Sequence, residues 1–212
     1  MKKKPETAKK EIVPIKYIYV FGVGAAGSQI LLNLIYTQPA LDFTVIDYDV
    51  VENRNIEPGT QPYGRGDLNR PKTQAISRIA LSIKNKKINI QNKKITSAKD
   101  ISDIVKNPKE SVIIDAFDNA DSRNFFTKLS KEFSVMHVGF SAQMSGEAVW
   151  EDVFSPMEHS KADAEIDICE MSIARPFIMG LTGNAAIIVD DYIRKGIKTN
   201  IYYDRHHNIK KY

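Results

Sequence analysis

The sequence predicts an α/β fold, a doubly wound, Rossmann-like and mostly parallel sheet. Three observations carry this. Short apolar runs rich in β-formers alternate with stretches of helical periodicity, the pattern of strand–crossover–strand units. A glycine-rich turn follows the first such run directly and opens a helix. The chain has 212 residues, 42% hydrophobic and 26% charged, enough for one core and too short for a second large domain.

The elements follow in order. Tyr17-Ile18-Tyr19-Val20-Phe21 ends at a glycine, as a buried parallel strand does. Residues 27–36 place Ile30, Leu31, Leu34 and Ile35 on one helical face. Residues 43–46 form the second strand, and a polar loop then runs from Asp47 to Arg70, long enough to mark a functional segment. Pro71 opens a helix to about Lys84. Then come a peripheral strand at 88–95, a short helix at 101–106, a buried strand at 111–115 and a helix at 120–132. Strands 134–138 and 147–154 complete the sheet, followed by a helix at 173–195 and a terminal hairpin at 201–209. The expected organisation is a basic tail over 1–14 and a single domain over 15–212 with a crossover-type loop near 151–170.

Composition excludes several classes. One cysteine, Cys169, permits neither an internal disulfide nor a multi-cysteine zinc site, so any metal is expected on oxygen ligands. No apolar run reaches the roughly 20 residues of a membrane span, and the lysine-rich N-terminus lacks a signal segment, so a cytoplasmic location is expected. Six basic residues lie in each of 1–16, 84–99 and 194–212, with only Glu6, Glu11 and Asp204 against them; the rest of the chain is acidic. Basic ends of this kind usually act as solvated faces, and the acidic body disfavours nucleic acid.

The first chemical motif is Gly22-x-Gly24-x-x-Gly27. Gly22 permits the turn, Gly24 lets backbone approach a phosphate, Gly27 lets helix pack on strand, and the helix start offers free N–H groups to an anion. Asp47, at the end of the second strand, is placed to accept ribose hydroxyls. The glycine loop alone leaves NAD, FAD and ATP open. A second cluster separates them: Asp47-Tyr48-Asp49 through Glu52-Asn53-Arg54-Asn55, then Pro71-Lys72, then Asp115-Ala116-Phe117-Asp118-Asn119 and Arg123. Carboxylates with a lysine near phosphate suit phosphoanhydride chemistry with Mg²⁺. Asp118 is the candidate metal ligand; the competing reading is that Asp115 or Asp118 caps the next helix.

These motifs, in order over roughly residues 15–195 and extending to the Val138-Gly139 and Gly146 strand pair, resemble the ThiF/MoeB/HesA family, the adenylating domain of ubiquitin-like-protein activating enzymes. The resemblance implies an ATP- and Mg²⁺-dependent adenylyltransferase that activates the C-terminal carboxylate of a glycine-ended ubiquitin-like or sulfur-carrier protein or peptide. It implies nucleotide binding by Gly22, Gly24, Ala25, Gly27, Asp47, Asp49, Asn55, Lys72, Asp115, Asp118 and Asn119. It implies a catalytic set of Lys72, Asn55, Asp118 and Arg54, metal binding by Asp118, and Arg123 as structural partner of the acidic strand end. The apolar circumference of helix 173–195 and the resemblance together imply a homodimer, the alternative being a helix that covers its own domain.

The departures are specific. Relatives carry an arginine in an Arg-Gln pair after the asparagine; here the stretch is Pro58-Gly59-Thr60-Gln61, with Pro58 or Thr60 at that place according to alignment. Arg54, Arg65 and Arg70 are the candidates to replace it. No arginine precedes Arg54, leaving Lys9, Lys10 or Lys16 for the N-terminal arginine of many relatives. Cys169 lies where relatives carry a thioester- or persulfide-forming cysteine, but between Asp167-Ile168 and Glu170 it reads better as structural. His137 reads as core, and no histidine is given chemistry. The alternatives are a catalytically degenerate scaffold or regulatory subunit, an NAD(P)- or FAD-dependent oxidoreductase, and a nucleic-acid-associated protein.

Overall fold

The computed structural model describes residues 13–57, 59–141, 143–154, 173–204, 206 and 208–212. Eight strands form one sheet in the order β3-β2-β1-β4-β5-β6-β7-β8. These are β1 (Tyr17–Phe21), β2 (Asp42–Asp47), β3 (Asn89–Asn92), β4 (Ser111–Asp115), β5 (Ser134–Phe140), β6 (Ser145–Trp150), β7 (Ile201–Asp204) and β8 (Ile209–Lys211). The strands β1 to β5 are parallel, and the pairings from β5 outward to β8 are antiparallel. The predicted terminal hairpin forms and extends the main sheet beyond β6.

Helices cover both faces. On one lie α1 (Ala25–Thr37), α3 (Lys72–Lys84) and α6 (Ala174–Lys195), whose Ile30, Leu34, Ile76, Phe177 and Leu181 pack on Ile18, Val20 and Val112. On the other lie α4 (Ala98–Ile104) and α5 (Ala120–Phe126), closing over Phe21, Ile113, Val135 and Phe126. Burying one such side chain contributes about 1.5–3 kcal/mol, so this two-sided core anchors the sheet. A four-residue helix, α2 (Asn53–Ile56), and a 3-10 turn at Arg65–Asp67 organise the long loop after β2.

The expected apolar circumference of α6 is largely spent inside the chain, where Phe177, Ile178, Leu181, Ala185 and Val189 are buried against α1 and the sheet. Ile187 remains 61% exposed. That packing matches the covering-helix reading and takes away the argument for a homodimer drawn from α6. Three elements are shorter than expected: β3 spans Asn89–Asn92 rather than 88–95, helix α5 stops at Phe126 rather than 132, and β6 stops at Trp150, after which residues 151–153 turn. Among the described residues no helix is long and apolar enough to cross a membrane. Most of the basic tail, Cys169, His159 and most of the expected crossover loop lie outside the described residues.

Candidate functional site: the crevice between β1 and β4

Strand order reverses at β1. The chain passes from β1 through α1 to β2 on one side and returns to β4 on the other, leaving a crevice beyond the carboxyl ends of β1 and β4. Ligands of doubly wound sheets bind at such a switch point. Register fixes its walls: Phe21 pairs with Ile46 and with Asp115, so Gly22, Asp47 and Ala116 emerge side by side.

The glycine loop has three distinct local causes. Gly22 has φ +83, a left-handed conformation suited to glycine, and a Cβ there would lie 2.9 Å from the Ala116 carbonyl oxygen. A Cβ on Gly27 would fall 1.9 Å from the Gly22 carbonyl oxygen, so only glycine lets α1 start this close to β1. Around Gly24, in contrast, no protein atom lies within 4 Å of a Cβ position. The space it leaves is open to the crevice. Gly24 also begins α1 with no side-chain cap, so the first helical N–H groups are available to an anion.

Val23, inside the loop, is held at both polar atoms. Its N–H donates to Asp47 Oδ2 at 2.8 Å, and its carbonyl accepts from the Tyr63 hydroxyl at 2.5 Å. The other oxygen of Asp47 accepts the Asp49 N–H at 2.8 Å. Burial pushes the Asp47 carboxyl above its ordinary value, while these amides and the nearby Lys72 charge pull it back. Tyr63 is buried, and burial with the charges of Asp47 and Asp67 raises its hydroxyl well above 10, keeping it a donor.

Lys72 opens α3 and is 8% exposed; its Nζ sits 3.0 Å from Asp49 Oδ2, which faces solvent more. Asn55 is buried in α2, where its Oδ1 accepts the Glu52 N–H at 2.9 Å. Arg54 pairs with Glu52 at 2.6 Å on the surface. Arg65 and Arg70 are both exposed, and Arg70 Nε donates to the Gly66 carbonyl at 3.2 Å.

On the β4 side the residues divide. Asp115, expected among the nucleotide contacts, has no exposed surface: one oxygen accepts the Phe117 N–H at 3.2 Å, the other meets His137 Nδ1 at 2.8 Å and Arg123 Nε at 3.5 Å. Its geometry is that of a brace for the strand end, with Arg123 as the expected partner. Asn119 caps α5, its Oδ1 accepting the Ser122 N–H at 2.8 Å. The cap is therefore neither Asp115 nor Asp118. Asp118 is exposed and has no hydrogen-bond or ion-pair partner among the described residues.

No group of three His, Cys, Asp or Glu side chains able to hold a metal occurs among the described residues. A lone Asp118 fits Mg²⁺ where phosphate and water complete the oxygen shell, the usual manner of Mg²⁺ at nucleotides.

Two residues not singled out by the sequence hold the long loop after β2 to other parts of the fold. Tyr63 is one, an aromatic in an otherwise polar loop. Arg175 is the other: from the first turn of α6 its Nη1 donates to the Gly59 carbonyl, within the stretch where relatives carry the missing arginine. Thr60, one of the two residues at that place, is fully buried with its hydroxyl unpaired, and Pro58 lies outside the described residues. No sequence motif marks either contact, because both partners meet only in the folded chain.

An α/β chain with an uncapped glycine turn at its switch point has the architecture of a doubly wound, Rossmann-like domain. The ThiF family model matches residues 6–154, and the chain belongs to that family. No curated protein matches it by sequence. Solved structures with the same fold include E. coli MccB with ATP, at 14% identity and TM-score 0.72, covering 93% of this chain and 63% of that one. The microcin C7 biosynthetic enzyme MccB in complex with N-formylated MccA matches at 13% identity, TM-score 0.73, 93% and 64%. PaaA matches at 17% identity, TM-score 0.70, 93% and 63%. The chain thus spans under two thirds of the length of each.

Proposed function

We propose that the chain is an ATP-dependent adenylyltransferase that activates the terminal carboxylate of a peptide or small carrier protein. The observation that carries this reading is the open space at Gly24 before an uncapped helix start at the switch point of the sheet; buried Lys72, opening α3, and exposed, unpartnered Asp118, after β4, are the residues it assigns to phosphate and Mg²⁺. The family and the ATP and MccA named in the MccB structures support it.

In this reading the backbone from Gly22 to Gly27 cradles phosphates, Asp47 and Asp49 face the ribose, and Asn55 and Lys72 meet the triphosphate. Asp118 would hold Mg²⁺, which supplies charge neutralisation at the phosphates. A carboxylate oxygen of the substrate attacks the α-phosphorus, the bond to the bridging oxygen breaks, and pyrophosphate leaves as the acyl adenylate forms. Lys72 neutralises charge on the departing group, and its near-complete burial strengthens that effect. Arg175, at Gly59, is the guanidinium best placed to replace the arginine missing from 58–61. The glycine ending of the substrate and a homodimer rest on the family resemblance; light scattering of the purified chain tests the dimer.

The test is ATP–pyrophosphate exchange in the presence of short peptides with free C-termini. Exchange abolished by Asp118→Asn and by Lys72→Ala supports the reading. Calorimetric binding of Mg-ATP without exchange favours the degenerate scaffold, which the absence of arginine from 58–61 supports. Saturation with NADH and no response to Mg-ATP overturns both.

A further inference from the structure

Asp118, the residue assigned to Mg²⁺, is exposed and has no hydrogen-bond or ion-pair partner among the described residues, so its place is set by the backbone on either side. After it, Asn119 caps α5, its Oδ1 accepting the Ser122 N–H at 2.8 Å. Before it, the Ala116 N–H donates to the Phe21 carbonyl at 2.9 Å, and the Phe117 N–H donates to Asp115 Oδ1 at 3.2 Å. The turn that presents Asp118 is therefore only as fixed as the Asp115 carboxylate.

A histidine given no chemistry by the sequence holds that carboxylate. Strands β4 and β5 pair Asp115 with His137, and both side chains fall on the sheet face that carries Ile113 and Val135. His137 Nδ1 donates to Asp115 Oδ2 at 2.8 Å, with the two side chains 1% and 0% exposed. Arg123 Nε, 3.5 Å from the same oxygen, lies beyond ordinary hydrogen-bond length, so among the described residues the imidazole is the close donor to Oδ2. The ring is itself clamped. Phe154 stacks on it at 3.7 Å with 9° between the planes, and Phe126 stands at 88° to it with centroids 6.1 Å apart.

We propose that His137 is a positioning residue for the metal-binding carboxylate: by donating to Asp115 it fixes the turn from Asp115 to Asn119 and, through it, the place of Asp118. The inference rests on the assignment of Asp118 to Mg²⁺ in the nucleotide reading. A histidine that only fills space has a different signature, because its ring then matters and its Nδ1 proton does not. Two substitutions part these roles. His137→Asn keeps an amide N–H near the place of Nδ1 and loses the ring. His137→Phe keeps a ring against Phe154 and leaves Asp115 Oδ2 without its close donor.

The test is calorimetry of ATP binding to the full chain, once with Mg²⁺ and once with EDTA, the readout being the ratio of the two dissociation constants. His137→Phe is expected to shrink the gain from Mg²⁺ by about tenfold or more, and His137→Asn to keep it within about twofold of the native chain, because partners that orient a metal ligand act on metal affinity. ATP affinity in EDTA should stay close to native in both. Should His137→Phe fail to fold, as read by urea midpoints, Asp115→Asn carries the test: its amide nitrogen must face either the Phe117 N–H or His137 Nδ1, donor against donor, and the same loss is expected. A native-sized gain in His137→Phe or its stand-in, or a gain lost as fully in His137→Asn as in His137→Phe, overturns the proposal. Asp118→Asn reads the metal assignment separately. No heat from the native chain with Mg-ATP, or a gain untouched by Asp118→Asn, overturns that assignment and the proposal with it, whereas a gain lost in Asp118→Asn and kept in His137→Phe overturns the positioning role alone.

Discussion

The Tyr63 hydroxyl donates to the carbonyl of Val23, 2.5 Å away, and so ties the loop after β2 to the turn that opens α1. With Asp47 holding the Val23 N–H, the peptide units on both sides of Val23 are set before any ligand arrives. Tyr63→Phe leaves that carbonyl buried and unpaired, at about 1–3 kcal/mol. The expected outcome is a lower denaturant midpoint with a several-fold weaker Mg-ATP affinity by calorimetry. Weaker binding without any loss of stability would place the effect of Tyr63 at the ligand, not at the loop.

The two glycines of the turn should separate folding from binding. Gly27→Ala drives a methyl into the Gly22 carbonyl oxygen, a backbone atom that cannot swing aside, and is expected to cost roughly 1–3 kcal/mol or more. Gly24→Ala meets no protein atom, so its thermal midpoint stays close to that of the native chain while Mg-ATP affinity falls by about tenfold or more. Thermal melts and calorimetry on the two variants read this contrast.

Arg175→Ala should cut pyrophosphate exchange by about 10²-fold, the usual effect of removing one transition-state donor. The residue is exposed, so stability should move by no more than about 0.5 kcal/mol. Exchange unchanged in this variant removes Arg175 from the site and returns the role to Arg54, Arg65 or Arg70.

Glu147 gives a pH signature. Its carboxyl is raised by burial, with Arg123 and His137 acting against the rise. The folded chain therefore binds this proton more tightly than the unfolded chain, and stability from this group falls as pH rises from its ordinary value of 4.5 to the raised one. Glu147→Gln lacks that loss. Its stability relative to the native chain should climb across this window and level off above it, as read by urea midpoints at a series of pH values.

Strands β1 and β4 were legible to the residue because each is an unbroken apolar run stopped by a glycine or an aspartate. Helix α5 was not. Phe125, Phe126 and Leu129 continue a helical spacing, yet the chain turns after Phe126, and the Phe133 N–H closes on the Ser130 carbonyl to lead into β5. Periodicity registers which residues are apolar, not whether they pack as one helix. At the crevice, Asp47, Lys72 and Asp118 are singled out by sequence because their residue types stand at fixed places relative to the strands and the glycine turn. In sequence, a carboxylate at a strand end looks the same whether it faces a ligand or, as Asp115 does, meets His137 and Arg123. Tyr63 and Arg175 meet partners far away in sequence, and only the fold joins them.

The lateral margins of the sheet end in lysine. β8 is three exposed residues, Ile209-Lys210-Lys211, and β3 at the opposite side is four residues followed closely by Lys93 and Lys94. Short outer strands bearing ammonium groups repel a like margin brought alongside. Lysines at both margins oppose sideways pairing of sheets, and neutralising Lys210 and Lys211 is expected to make the chain prone to fibrous association without touching the crevice.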